Sequence, residues 1–250
     1  MVLIDYVVRP VPSTLDRFIM NWTQATYQPT TLFSLKPSWA TSSGGKSLLM
    51  PSPYALKMAL LDAAIRVDGW KHASFSWSWI SQLQIGIQLP ERMVVTNLFA
   101  KILKIRRNPA KEGAADAGPF QKTIAYREYV YFSDVIHLAL GTDAANHPSL
   151  ETYLLNINYL GKRGGFVQLM GRPTAVSNIA AYTMLTEDMT AFPPHGLMQR
   201  IDDCDPKMKL DQANIYTKAR PKRIVRDVVL PYRLKKSSRS YSFYERVGKG

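Results

Sequence analysis

The chain segment from Ser52 to Gly69 most constrains the fold, because it describes a helix with an unusually flat apolar face. Ser52 is a good N-cap, and Pro53 at the first helical position forfeits no hydrogen bond, since that N–H has no intrahelical partner. Leu56, Ala59, Leu60, Ala63 and Ala64 then recur at helical spacing. They gather on one side as a surface of small residues suited to lying on a sheet. Asp68-Gly69 ends the helix, with glycine at the left-handed cap position.

The strands to pair with this helix are read from β-branched and alternating runs. Residues 2–9 read as a first strand, and the Pro-, Ser- and Thr-rich stretch 10–50 reads as a long loop with a short strand near Thr31–Leu35. Residues 73–86 fit neither pattern cleanly; Trp70, Trp77 and Trp79 are expected to anchor the helix to the core. Met93–Arg107 is β-rich and ends in Lys101, Lys104, Arg106 and Arg107, and the small-residue stretch Asn108–Pro119 follows. A long strand at Thr123–Leu140 comes next, so two basic strands flank a flexible tip, the pattern of a β-hairpin projecting from the body. A helix from Pro148 to about Tyr159, a glycine-rich turn and a strand at Phe166–Met170 complete the body. This order predicts an α+β chain of ferredoxin-like (RRM-like) type. The expected division is a body over residues 1–206 and a basic segment over 207–250 folding back on it, frayed beyond Tyr244.

Charge selects the class of partner. The net charge is +13, and the segment after residue 206 carries thirteen Lys or Arg against three acids (Asp211, Asp227 and Glu245), hence +10 of it. Such a chain suits a polyanion, and no apolar run approaches the ~20 residues of a spanning helix. Cys204 is the sole cysteine, which excludes an internal disulfide and a thiolate metal cluster and suits a reducing cytoplasm. His72, His137, His147 and His195 show no metal-binding spacing, so neither a metal nor another cofactor is expected.

Two segments point to flexible nucleic acid. Thr123-Ile-Ala-Tyr-Arg-Glu-Tyr-Val-Tyr131 interleaves aromatic and charged residues on a strand. By alternation Arg127, Tyr129 and Tyr131 share one face, and Tyr126 and Glu128 the other. Tyr159-Leu-Gly-Lys-Arg-Gly-Gly-Phe166 is a glycine turn with two adjacent cations, whose backbone allows close approach to phosphate. The structural alternatives, tyrosines packing a sheet and an ordinary turn between helix and strand, stay open for each segment taken singly. Ser42-Ser-Gly-Gly-Lys-Ser47 imitates a phosphate loop, but Ala40 stands where the motif needs glycine and Pro51 blocks a directly following helix. A mobile loop is the better reading there. No acid–base pair for catalysis is visible, and His137 on an apolar strand reads as a buried structural histidine.

Taken together, Thr123-x-x-x-Arg-Glu-Tyr129, the block Tyr159-Leu-Gly-Lys-Arg163 and the helix beginning Pro51-Ser-Pro-Tyr-Ala-Leu-Lys-Met-Ala resemble the Cas-five family of the RAMP superfamily, subunits of type I CRISPR Cascade complexes. The resemblance spans roughly residues 37–170. It implies a ferredoxin-like body with a protruding hairpin, the thumb, at about Ile105–Glu128. It also implies a non-catalytic subunit that grips the 5′ handle of the crRNA and caps a filament of Cas-seven subunits. A large Cas-eight-type subunit would adjoin it, and target DNA would be met through the complex, in antiviral defence or RNA-guided transposition. The residues assigned to RNA are Lys46, Lys104, Arg106, Arg107, Lys122, Arg127, Tyr129, Gly161, Lys162, Arg163 and Gly164. In one branch of the family a tyrosine, a lysine and a histidine process precursor RNA; that triad has no place here, so a metal-independent endoribonuclease is the alternative, beside a general basic RNA-binding protein.

Overall fold

The structure, a computed structural model, describes residues 20–40, 45–108, 110, 113–114, 117–143, 145–189, 195–214 and 217–247. The strand expected at residues 2–9 lies outside them, as do residues 42–44 of the Ser42–Ser47 loop and part of the Asn108–Pro119 tip.

The elements run β1 (Asn21–Pro29), α1 (Pro53–Ile80), β2 (Gln84–Gln88), β3 (Arg92–Ile105), β4 (Phe120–Phe132), β5 (Ile136–Thr142), α2 (His147–Leu155) and β6 (Val167–Leu169). The short β7 (Thr174–Ala175) and β8 (Thr183–Met184) follow, then β9 (Leu197–Cys204), α3 (Leu210–Ala213), β10 (Arg223–Leu230), β11 (Tyr232–Ser237) and β12 (Tyr241–Arg246). One sheet has the order β6-β1-β5-β2-β8, with β7 also paired to β1; a second has the order β11-β12-β3-β4; β9 and β10 form a ribbon. Every pairing is antiparallel.

The register of the first sheet explains its buried face. Thr23, Leu140 and Ile85 lie side by side, as do Ala25, Leu138 and Ile87, and Tyr27 faces Ile136. All are buried. Leu56, Ala59, Leu60, Ala63 and Ala64 of α1 and Leu150 and Leu154 of α2 join the same hydrophobic cluster. The Tyr27 hydroxyl donates to the Leu154 carbonyl at 2.7 Å, fixing α2 over β1. Each fully buried leucine here contributes roughly 1.5–3 kcal/mol relative to exposure.

The helix cap forms as the sequence dictates: the Ser52 hydroxyl accepts from the Ala55 N–H at 3.3 Å. Gly69 (φ 77°, ψ 167°) interrupts α1, and a second helical stretch then continues to Ile80. Its buried residues, Ala73, Ser76, Trp77 and Ile80, follow helical spacing, although the sequence Phe75-Ser-Trp-Ser-Trp79 alternates like a strand. Trp77 donates its indole N–H to the Met208 carbonyl at 2.8 Å, and Trp79 stacks on Tyr153. Trp70 is 46% exposed and anchors nothing, a correction to the expectation for all three tryptophans.

Four further boundaries differ from the sequence reading. A strand, β1, occupies 21–29 inside the expected loop, and Phe33 makes only an isolated bridge to Val130. The long strand at Thr123–Leu140 is two strands, broken at Ser133–Val135, where the chain passes from the second sheet to the first. The second helix stops at Leu155, four residues short of Tyr159. Strand β12 continues past Tyr244 to Arg246, because Arg246 is held by Glu91 and the Leu89 carbonyl. The last strands are tied in by pairing, β10 with β9 and β12 with β3. No helix among the described residues is long and apolar enough to cross a membrane.

Candidate nucleic-acid interface

The glycine turn is a tight, braced loop between α2 and β6. Tyr159 and Phe166 form a bridge, flanked by hydrogen bonds from Leu160 N to Gly165 O (2.9 Å) and from Val167 N to Asn158 O (3.0 Å). Gly165 N donates to Lys162 O at 3.0 Å and closes the turn. Gly161 (φ 76°) and Gly164 (φ 107°) adopt backbone conformations that other residues enter only with strain. Gly165 is required for a different reason: a Cβ there would stand 2.8 Å from the Leu160 carbonyl oxygen and 3.1 Å from the Phe33 ring. The Thr31 hydroxyl donates to Gly164 O (2.6 Å) and accepts from Phe166 N (3.0 Å), clamping the loop from outside. Among the described residues, the N–H groups of Gly161, Lys162, Arg163 and Gly164 donate to no protein acceptor. Consecutive unpaired amides of this kind suit an anion.

Beside this loop lies a cleft of about 500 Å³ whose lining includes Lys36, Tyr54, Arg127, Lys162, Asp202 and Arg223. Each comes from a different place. Tyr54 stands in the first turn of α1, Arg127 in β4, Asp202 in β9 and Arg223 at the start of β10. The Arg223 guanidinium lies 3.6 Å from the centroid of the Tyr54 ring and donates to Asp202 at 2.7 Å. Burial raises the Tyr54 phenol pKa, with Arg223 opposing that shift. Tyr54 is therefore a neutral platform and donor at neutral pH. Among the described residues the sole acid of the lining, Asp202, is buried and already engaged, so Lys36, Arg127 and Lys162 present net positive charge to whatever enters.

The residues chosen from sequence are only partly brought together. Arg127, Gly161 and Lys162 meet in the cleft. Arg163 does not join its neighbour; it lines a separate pocket on another side of the loop with Asp62, Arg66, Asn158, Tyr159 and Phe166. Gly164 shapes the turn without lining either pocket. Lys104, Arg106 and Arg107 line a groove far out on the β3–β4 hairpin with Gln121. Lys122 pairs with Leu103 on the sheet face opposite to Arg127 and Tyr129, because it is an odd number of residues from both. Tyr129 is half-buried across from Thr96. Lys46 is exposed outside the cleft; the adjacent Ser47 N–H donates to the buried Glu128 carboxylate at 2.6 Å. Lys36, Tyr54 and Arg223 were not singled out by the sequence reading, although Tyr54 directly follows the helix cap and Arg223 opens the basic strand.

Two of the histidines meet threonines of β1. His137 Nδ1 lies 2.9 Å from Thr26 Oγ1 and His147 Nε2 lies 3.0 Å from Thr23 Oγ1. Burial lowers the His137 pKa, with Asp134 opposing. Among the described residues no three His, Cys, Asp or Glu side chains gather into a metal site.

Compared with models of known protein families, the chain matches none. It is 26% identical over 210 residues to CRISPR-associated protein Cas5 of Archaeoglobus fulgidus, an alignment covering 79% of this chain and 86% of that protein. Among solved structures, it aligns with a CRISPR protein from Archaeoglobus fulgidus at a TM-score of 0.45 and 12% identity, over 92% of this chain and 93% of that one. It also aligns with a chain of a CRISPR RNA-guided surveillance complex at a TM-score of 0.40 and 12% identity, over 83% and 88% of the two chains. The likeness read from three short sequence blocks extends, in that curated relative, over about four fifths of the chain, which is therefore similar to CRISPR-associated protein Cas5 along most of its length.

Proposed function

We propose that the protein is a non-catalytic crRNA-binding subunit of a type I CRISPR effector complex, and that the cleft beside the glycine loop holds the 5′ handle of the guide. The observation that carries this reading is the convergence of Arg127, Gly161 and Lys162 on one cleft with Tyr54 and Arg223. Cations next to unpaired backbone amides match the phosphates of single-stranded RNA, and the Arg223 guanidinium held over Tyr54 offers a planar group to a base. The homologue named Cas5 supports the CRISPR setting. The sheet order β6-β1-β5-β2, with α1 and α2 packed together over it, supports a ferredoxin-like body, and the long β3–β4 hairpin supports a thumb. In this reading the subunit caps a Cas-seven filament beside a large Cas-eight-type subunit in the cytoplasm and meets target DNA through the complex.

Co-expression with a repeat–spacer array, purification and sequencing of the bound RNA test the assignment. Guides ending in a common repeat-derived 5′ segment are the expected result, and they should be lost from the Arg127→Ala, Lys162→Ala double variant. RNA of arbitrary sequence, retained equally by both proteins, would contradict it. Repeat RNA incubated with the purified protein in EDTA should remain intact; site-specific cleavage would establish a processing endoribonuclease instead.

A further inference from the structure

The two cations of the glycine loop serve different pockets, and this has a consequence for how RNA crosses the loop. Lys162 lines the main cleft, whereas Arg163 lines a second pocket of about 280 Å³ with Tyr159, Phe166, Asn158, Asp62 and Arg66. Tyr159 and Phe166 sit directly opposite one another across the base of the loop, in the closely spaced type of antiparallel pair, so their side chains leave the backbone on the same side. Phe166 is 49% exposed, an unusual position for a phenylalanine whose backbone is held at both its N–H and its carbonyl. Arg66 is already committed to Asp62 (3.0 Å) and to the Asn156 carbonyl (2.5 Å), which neutralises the only acid in the lining among the described residues. Arg163 is exposed and has no hydrogen-bond or ion-pair partner among the described residues.

We infer that this second pocket takes one unstacked base of a single-stranded RNA, laid against Phe166 and Tyr159 with Arg163 over its face or on its adjacent phosphate. The strand then straddles the loop: phosphates lie in the Lys162 cleft on one side and a base is held on the other, with the small Gly164 between them leaving room for the backbone to pass. An arginine is better suited than a lysine to the outer position, since its planar group both stacks on a base and clamps a phosphate. The pocket has the two features a base needs, an aromatic face and a cation, and its acid is spent.

This inference rests on the RNA-binding reading of the cleft, and the test separates the two. Guide RNAs carrying 2-aminopurine at successive positions of the 5′ segment are bound to the wild-type protein and to Phe166→Ala, Phe166→Trp, Arg163→Ala and Lys162→Ala variants. The expected result is one position whose fluorescence is quenched on binding to wild type. That quenching is lost in Phe166→Ala, kept in Phe166→Trp, and kept at saturation in Lys162→Ala. Phe166→Ala should bind about tenfold more weakly, the typical effect of losing one base–aromatic stack, with an unchanged salt slope. Wild-type binding that is weakened by Lys162→Ala but unaffected in affinity and quenching by Phe166→Ala would overturn the base pocket alone. Failure of the wild-type protein to bind the RNA would overturn both readings.

Discussion

The Arg223 guanidinium lies over the Tyr54 ring, 3.6 Å from its centroid, while donating to Asp202 at 2.7 Å. The pair joins the first turn of α1 to the first residue of β10, so an aromatic residue from the N-terminal half positions a cation from the basic C-terminal segment at the mouth of the cleft. Tyr54 then acts largely through Arg223. Tyr54→Phe keeps the ring and should alter RNA affinity less than about twofold, whereas Tyr54→Ala should weaken binding about three- to tenfold, the range set by a cation–π contact. Binding titrations of Tyr54→Ala, Arg223→Ala and the double variant check this. The double variant should bind no more weakly than Arg223→Ala alone, and fully additive losses would contradict the coupling.

Beneath the cleft a buried ion pair holds α1 to β9. Lys57 Nζ lies 2.7 Å from Asp203 and also donates to the Ser81 carbonyl at 2.9 Å, with both charged side chains about 3% exposed. Arg226 Nε stands 3.5 Å from the same carboxylate, an ion-pair distance without hydrogen-bond geometry. Lys57→Met leaves the buried carboxylate with only the Cys204 N–H and the more distant Arg226, and should cost about 3 kcal/mol, a loss of roughly 10 °C in Tm for a chain of this size. Lys57→Met with Asp203→Asn should recover much of that loss. Thermal unfolding followed by circular dichroism measures both, and a single variant within about 1 kcal/mol of wild type would contradict the account.

Alkaline pH should unfold the protein progressively. Burial pushes the Cys204 thiol and the Tyr232 phenol each up to about 12, from ordinary values of 9.0 and 10.0, and raises Tyr27 as well. All three are neutral when protonated, and the unfolded chain loses these protons first. Their contribution to stability is therefore complete below pH 9, and it declines between pH 9 and 12 as the unfolded groups ionise. Tm should fall steadily over that window, and Cys204→Ala should delay the onset toward pH 10, where the tyrosines take over. The native thiol should not react with a disulfide reagent at pH 8 until the protein unfolds.

These features differ in how far the sequence exposes them. The cap at Ser52 and the small-residue face of α1 depend on local chemistry, and the structure carries both at the expected residues; Gly69, expected to end the helix, instead kinks it and the helix resumes to Ile80. The glycine loop is likewise legible, because Gly161 and Gly164 need their positive φ within a few residues of one another. Strand β1 was hidden because its buried positions are Thr23, Ala25 and Tyr27, small or polar residues that blur the alternation. The second half of α1 was hidden because serines alternate with aromatic residues, a strand-like pattern, while packing selects Ala73, Ser76, Trp77 and Ile80. Arg223 could not be placed at the cleft from sequence, since its position depends on β10 pairing with β9 and on a ring 169 residues earlier (Tyr54). The opposite directions of Lys162 and Arg163 depend equally on tertiary structure.

Gly165 should be the least replaceable residue of the loop. An added methyl group meets the Leu160 carbonyl oxygen at 2.8 Å and the Phe33 ring at 3.1 Å, and neither neighbour is the free end of a flexible side chain. Gly165→Ala should destabilise the fold by about 1–3 kcal/mol through overpacking. Gly164→Ala meets open space and pays only its left-handed strain, about 1–2 kcal/mol. Denaturant titrations should therefore place Gly165→Ala at or below Gly164→Ala in stability, and RNA affinity should fall in Gly165→Ala if the loop shape matters. A fully stable Gly165→Ala protein would contradict the geometry.

The central claim is that the cleft at the glycine loop contacts RNA phosphates, and salt-dependent binding tests it most directly. Affinity for the 5′-handle RNA is measured across about 50–300 mM salt for wild type and for the Arg127→Ala, Lys162→Ala double variant. Two lost phosphate contacts should reduce the log–log slope by about 1.4 and weaken binding at the lower salt concentrations. An unchanged slope together with unchanged affinity would contradict the account.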